Sequence, residues 1–280
     1  MPYNTFFSFH QSAWQQVMKR VILSAILLSI VTGILAQSDS VKLDARYLKH
    51  YWTDTRDILI SPLKWECRDW TRFALFTTAT TALLFADEPI RSFFSEHRTP
   101  ALHHLTQDFF SPLGGNWSVF LSAGIYGAGL ISKNNRMQSS GLMAVEGFLV
   151  GSLLARLPKY AFGRVRPDAW WGPSAFEWKG PFQGNSFPSG HTAAAFSVAT
   201  VFATQYHETI WIPVLAYSMA TATGMARIYE NRHWASDVFA GALLGWVTGK
   251  FICRSHQQRD FSMVLSLDTK MKGVTFVHSF

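Results

Sequence analysis

The sequence predicts an all-α protein: a bundle of about six core helices, followed by a short C-terminal β-hairpin. Three observations predict it. Hydrophobic residues make up 48% of the 280 positions and charged residues only 15%, which is enough apolar material for one large core. Six segments rich in Ala, Leu, Phe and Gly carry their apolar residues at spacings that suit helix packing. No long run alternates between apolar and polar residues, so no central sheet is expected.

In chain order, Lys19 and Arg20 precede an apolar run from Val21 to Leu35, and the small residues Ala36 and Ser38 follow. That is the pattern of a secretory signal peptide over residues 1–38, with Met18 as the better start. An N-terminal anchor helix is the alternative, although fifteen apolar residues are short for a bilayer span. Residues 39–110 mix polar and aromatic side chains and read as loops and short helices, apart from a helix over 70–86. The other five helices are expected over 117–132, 141–157, 192–204, 209–226 and 236–252. In the tail, 256–280, Val264 to Leu267 and Val274 to Val277 flank a polar stretch with Gly273, which is a hairpin pattern.

Residues 168–187, DAWWGPSAFEWKGPFQGNSF, form the one long irregular connection. Trp170, Trp171, Phe176, Trp178 and Phe182 argue against disorder. The loop either packs on the helical core or forms a wall or lid over a neighbouring site. Cys67 and Cys253 permit one disulfide and do not make a disulfide framework. The formal net charge of +7 suits anionic substrates or an anionic lipid surface. No Lys/Arg run or aromatic-basic repeat accompanies it, so nucleic acid is not an expected partner.

Three stretches carry the chemistry. In SFPSGHTAAAF, Ser189 or Thr192 can cap a helix whose free N–H groups and dipole favour an anion. Gly190 allows close approach to the backbone, and His191 can carry a proton near neutral pH. In KYAFGRVRP, Lys159, Arg164 and Arg166 cluster at a helix end, which Pro167 forces the chain to leave. In ARIYENRHWASD, Asp237 follows His233 by four residues, one helical turn. Asp237 can then hold the proton on one ring nitrogen and leave the other as a free lone pair, which prepares a base or nucleophile. An antiparallel bundle would bring all three stretches to one end. Arg164 and Arg232 have no part in that chemistry; they either attract anionic substrate or lie at the solvated rim, and the rim is favoured.

Together these motifs resemble the type-2 phosphatidic acid phosphatase superfamily, which includes bacterial acid phosphatases and vanadium haloperoxidases. Its pattern is Lys-x6-Arg-Pro, then Pro-Ser-Gly-His, then Ser-Arg-x5-His-x3-Asp. The chain departs from it only at Ala226, where the family has Ser. The resemblance implies that His233 attacks phosphorus and forms a phosphohistidine, that Asp237 orients it, and that His191 protonates the leaving oxygen. It implies that Lys159, Arg166, Arg227, the Ser189 hydroxyl and the Gly190 N–H hold the phosphoryl oxygens. It implies a catalytic core over 111–255. No metal or other cofactor is expected, no metal-ligand cluster stands out in the sequence, and vanadate should bind as an inhibitor.

The expected activity is therefore hydrolysis of a phosphate monoester or pyrophosphate, with a membrane lipid as the preferred substrate, since the helices and the aromatic loop are apolar. A soluble periplasmic acid phosphatase, a vanadium haloperoxidase and a non-catalytic envelope binding protein are the alternatives. The expected location is the bacterial cell envelope, membrane-associated, with the site facing the periplasm. Had every helix from Trp70 onward spanned the membrane, the site would face the cytoplasm. Apolar cores shorter than the roughly 20 residues a span needs leave room for a non-spanning helix or a largely extracytoplasmic bundle.

Overall fold

A computed structural model describes residues 45–169 and 172–268, with side chains from Tyr47 to Gln257. The signal or anchor segment, Trp170 and Trp171, and the second strand of the expected hairpin lie outside the described residues.

The described chain is helical, as its pattern predicts. The order is α1 (Ala45–Ile60), α2 (Cys67–Leu84), α3 (Asp87–Glu96), α4 (Pro100–Leu105), α5 (Asn116–Ile131), α6 (Asn135–Phe162), α7 (Gly190–Gln205), α8 (Trp211–Tyr229) and α9 (Ala235–Asp268). A π turn (Thr106–Phe110) and a single α turn (Ser111–Leu113) link α4 to α5. Helix α7 lies at the centre and packs against α6, α8 and α9; α5 lies outside α6, and α1 rests on α6 and α9.

Helix boundaries follow from local chemistry. Asn134 accepts a hydrogen bond from the Met137 N–H and starts α6 earlier than the apolar pattern indicates. Pro158 does not stop the helix, which continues to Phe162. The stop is Gly163, at φ +62°, where a Cβ would lie 1.7 Å from the Gly180 carbonyl oxygen. Ser189, not Thr192, caps α7: its hydroxyl accepts from the Thr192 N–H.

One expectation is corrected. Val264 to Leu267 is the last part of α9 and not a strand. No Gly or Pro interrupts the chain between Gly249 and Gly273, so nothing local breaks the helix before Asp268. Cys67 and Cys253 are unbonded; Cys67 is exposed, and Cys253 packs in the core with Met143, Val150, Leu154, Val198, Val201 and Ile252. Helices α1 and α3 occupy stretches whose mixed composition shows only short helices.

The central helices meet at small residues. A Cβ on Gly245 of α9 would lie 2.2 Å from the Ala193 carbonyl oxygen of α7, so the two backbones touch. Close backbone contact fixes the register of α7 on α9, and with it the relative positions of the residues at the α7 N-terminus and the α9 N-terminus.

Candidate active site

The three sequence stretches converge where α6 ends and α7 and α9 begin. The Ser189 N–H donates to the Asp237 carbonyl oxygen at 2.9 Å, joining the second stretch to the third through the main chain. The Lys159 Nζ lies 3.8 Å from the Cβ position of Gly190, joining the first to the second. Arg227, at the end of α8, and His233, in the turn before α9, complete the group.

His233 and Asp237 are almost wholly buried, and His233 Nδ1 lies 3.6 Å from Asp237 Oδ2. This ion-pair distance is just beyond a hydrogen bond, and Nδ1 makes none to another described residue. The ring is therefore turned with Nδ1 toward the carboxylate and Nε2 away from it. Burial outweighs the carboxylate and pushes the His233 pKa down to about 4, so the imidazole is neutral at pH 7. His191 is pushed down to about 3, first by burial and then by Arg227, His233, Lys159 and Arg166. Lys159 falls to about 8, chiefly by burial and the adjacent Arg166. These mutual effects show one concentrated cationic pocket.

Two guanidinium groups hold donors in reserve. The Nε atoms of Arg166 and Arg227 are buried and make no hydrogen bond to the described residues. Arg227 is held from behind: its Nη1 donates to Glu230 Oε2 at 2.6 Å and to the Ser111 hydroxyl at 3.3 Å. Ser111 in turn donates to Glu230. The pocket also has a backbone wall. A Cβ at Gly114 would lie 2.7 Å from the His191 carbonyl oxygen, and one at Gly115 would lie 3.8 Å from His191 Nε2.

Arg164 corrects an expectation. It is fully buried, not at the solvated rim. Its Nη1 donates to Asp237 Oδ1 at 2.6 Å and to the Ser236 hydroxyl at 2.7 Å. Its Nη2 donates to Asp87 Oδ2 at 2.6 Å. Asp87, at the start of α3, also accepts from the Ser236 N–H at 2.8 Å. Asp237 receives the Ser186 hydroxyl and, at 3.0 Å, the Trp234 N–H. Three donor groups, from Arg164, Ser186 and Trp234, thus fix the carboxylate that faces His233. Arg232, by contrast, does lie at the surface, paired with Asp168 at 2.9 Å.

The long loop packs beneath this network. Val165 N–H donates to Glu177 at 3.0 Å and Lys179 N–H to Gly163 at 3.1 Å. The Arg164 guanidinium sits over the Trp178 ring at 5.1 Å and the Trp234 ring at 5.4 Å. Trp178 therefore serves as a wall supporting the site from the side of Asp237. Phe182 stacks on Tyr160 at 5.6 Å and remains exposed.

Fold and site together define a class: a helical bundle with a buried histidine–aspartate pair inside a cationic pocket at a helix N-terminus. Residues 137–261 match the PAP2 superfamily. It is similar to a lipid A 1-phosphatase of Porphyromonas gingivalis, 43% identical over 119 residues, which cover 41% of this chain and 24% of that protein. A lipid A 1-phosphatase of Rhizobium johnstonii is 28% identical over 66% of this chain and 78% of its own. Among solved structures, a transmembrane PAP2-type phosphatidylglycerolphosphate phosphatase from Bacillus subtilis shares the fold, with a TM-score of 0.50 and 24% identity over 66% of this chain and 94% of that one. The match thus spans only about a quarter of the Porphyromonas relative.

Proposed function

We propose that this protein is a phosphatase that hydrolyses a phosphate monoester or pyrophosphate of a membrane lipid through a phosphohistidine on His233, with no catalytic metal. One observation carries the reading. A neutral buried imidazole, backed by an acid with three donors of its own, shares a pocket with Lys159, Arg166 and Arg227 at the N-terminus of α7.

The phosphoryl oxygens would be held by Lys159, by the reserved Nε donors of Arg166 and Arg227, and by the free N–H groups at Gly190 and His191. His233 Nε2 attacks phosphorus in line, and the bond to the ester oxygen breaks. Asp237 stabilises the imidazolium that forms. His191 gives its proton to the departing oxygen. In the second step it takes a proton from water, whose oxygen attacks phosphorus and releases His233. Burial and the neighbouring cations keep His191 neutral in the open pocket. An incoming phosphate offsets those cations and raises the His191 pKa toward the value an acid needs.

Relatives named for lipid A 1-phosphate support a lipid substrate. So does the surface. Leu149, Leu153 and Leu157 form an exposed stripe at four-residue spacing on α6, and Trp117, Phe120 and Leu121 on α5 and Trp211 and Leu215 on α8 are also exposed. Among the described residues only α6 is long and apolar enough to cross a membrane, and more than half of that window is buried inside the bundle. We place the protein at the envelope membrane, with its pocket facing the periplasm.

The test is phosphate release by purified protein and by His233→Ala, in EDTA. Substrates are lipid A, phosphatidylglycerophosphate, undecaprenyl pyrophosphate and an aryl phosphate. Release from a lipid that vanishes in the variant is expected. Release from the aryl phosphate alone would establish a soluble-substrate phosphatase instead, and equal release by both proteins would remove His233 from the mechanism.

A further inference from the structure

A second group of chemically capable side chains lies inside the bundle, away from the phosphate pocket. Asp54 of α1, Glu146 of α6 and His256 of α9 each bring one ligand atom to within 4.8 Å of the others. The Asp54 and Glu146 side chains are fully buried, and His256 is 12% exposed. Glu146 precedes Lys159 on α6, and the helical rise over that interval sets the group about 20 Å from the pocket.

We propose that Asp54, Glu146 and His256 form a binding site for a divalent cation of the zinc or manganese class, which ties α1 to the catalytic bundle. Zinc binds imidazole nitrogen and carboxylate oxygen at about 2.0–2.2 Å, so its ligand atoms stand roughly 3–4 Å from one another. The three atoms here need only a small contraction to reach that spacing. Two carboxylate oxygens and one imidazole nitrogen suit zinc, manganese or iron(II). Calcium and magnesium take oxygen-only shells, and no thiolate is in the group to select a softer ion.

The surroundings support the assignment. His50 lies on α1 four residues before Asp54, on the same helix face, and its ring is 5.9 Å from that of His256. Two ligands one turn apart on one helix are a recurrent way to hold a metal, and His50 is placed to supply a fourth ligand. The Ser255 hydroxyl donates to Asp54 Oδ1 at 3.0 Å and so orients that carboxylate from outside. His256 Nε2 lies 2.9 Å from Glu146 Oε2, a contact that an entering cation would replace. The cation would also screen two carboxylates brought together in a low-dielectric interior. The donors come from three helices distant in sequence, so binding would add its free energy to the docking of α1.

The experiment uses the full chain with no affinity tag. Protein stripped with a chelator is equilibrated with Zn²⁺ or Mn²⁺, separated from free metal by gel filtration and analysed by elemental mass spectrometry beside a thermal melt. One equivalent per chain and a rise in Tm of several degrees are expected. Asp54→Asn and Glu146→Gln should each cut retained metal at least tenfold and abolish the Tm response, with helix content and phosphate release unchanged. A His103→Ala/His104→Ala variant, which removes exposed histidines, should bind as the wild type does. Folded wild type that retains less than a tenth of an equivalent would leave a plain buried His256–Glu146 ion pair and overturn the proposal. So would variants that retain metal fully. Should both variants fail to fold, the absorption edge of the zinc-loaded wild type decides: mixed nitrogen and oxygen ligation upholds the site, and water-only or sulfur ligation overturns it.

Discussion

Arg164 and Asp237 form a buried ion pair at 2.6 Å, and the same guanidinium holds Asp87 at 2.6 Å on its other side. Neither partner of the first pair touches solvent. The acid behind the candidate nucleophile is thus anchored to the end of α6 and the start of α3 at once. Replacing Arg164 with Met should destabilise the protein by about 3–5 kcal/mol, the usual result of stranding a buried charge. Asp87→Asn added to that variant should recover part of the loss, because one of the two stranded carboxylates is then neutral. Denaturant melts of the two variants give both numbers, and additive losses would mean that Arg164 does not couple the two acids.

His191 and His233 should separate kinetically. With an aryl phosphate, whose leaving group needs little protonation, His191→Ala should still form the covalent intermediate. Dephosphorylation should then slow, so alkali-quenched protein retains acid-labile phosphate. His233→Ala should trap none. Radiolabelled phosphate on the His233→Ala chain would place the nucleophile elsewhere.

Lys159 gives a pH dependence with a definite sign. Its pKa is lowered to about 8, so it loses its charge as pH rises through that value. Vanadate or phosphate affinity should therefore fall above pH 8 in the wild type. A bound oxyanion raises the Lys159 pKa and moves the fall upward. Lys159→Arg keeps its charge across this range and should lack the fall. Titration of both proteins from pH 6 to 10 checks this, and identical profiles would exclude Lys159 as the source.

The histidines set the acid limb of stability. His233 falls to about 4 and His191 to about 3 in the folded protein, against a reference near 6.5. Between those values and 6.5 the unfolded chain binds more protons, so stability rises with pH there and drops on acidification. Tm should fall steadily from pH 7 to pH 4. His233→Asn, which has no proton to take up, should show a shallower fall.

Gly245 tests the register of α7 on α9. A Cβ there meets the Ala193 carbonyl oxygen at 2.2 Å, a backbone atom that cannot rotate away. Gly245→Ala should cost about 1–3 kcal/mol as the helices part, with lower kcat as well as lower Tm.

Much of this was legible in the sequence. The six apolar segments are helices, and an antiparallel arrangement of them brings the stretches that hold Lys159, Ser189, His191, Arg227, His233 and Asp237 to one end of the bundle. What the sequence hides has physical reasons. Arg164 is a long cation two residues before Arg166, and only burial between Asp87, Asp237, Trp178 and Trp234 distinguishes it from a rim charge. Asp87 lies far upstream in a stretch of mixed composition, so nothing local ties it to the site. Gly114 and Gly115 appear as a turn, and their approach to His191 is visible only in three dimensions. Val264 to Leu267 is apolar at strand length, and such short runs do not distinguish strand from helix.

The bond from the Ser189 N–H to the Asp237 carbonyl is made by the main chain, so no side-chain substitution can retune it. The turn that would grip the anion and the turn that aims the nucleophile therefore move as one piece, and a slide that loosened either would misalign both. Such a centre is ill suited to learning new substrates by internal adjustment. Divergence in what the protein accepts must be written in its periphery: the aromatic loop, the apolar stripe of α6, and the helices that precede α5.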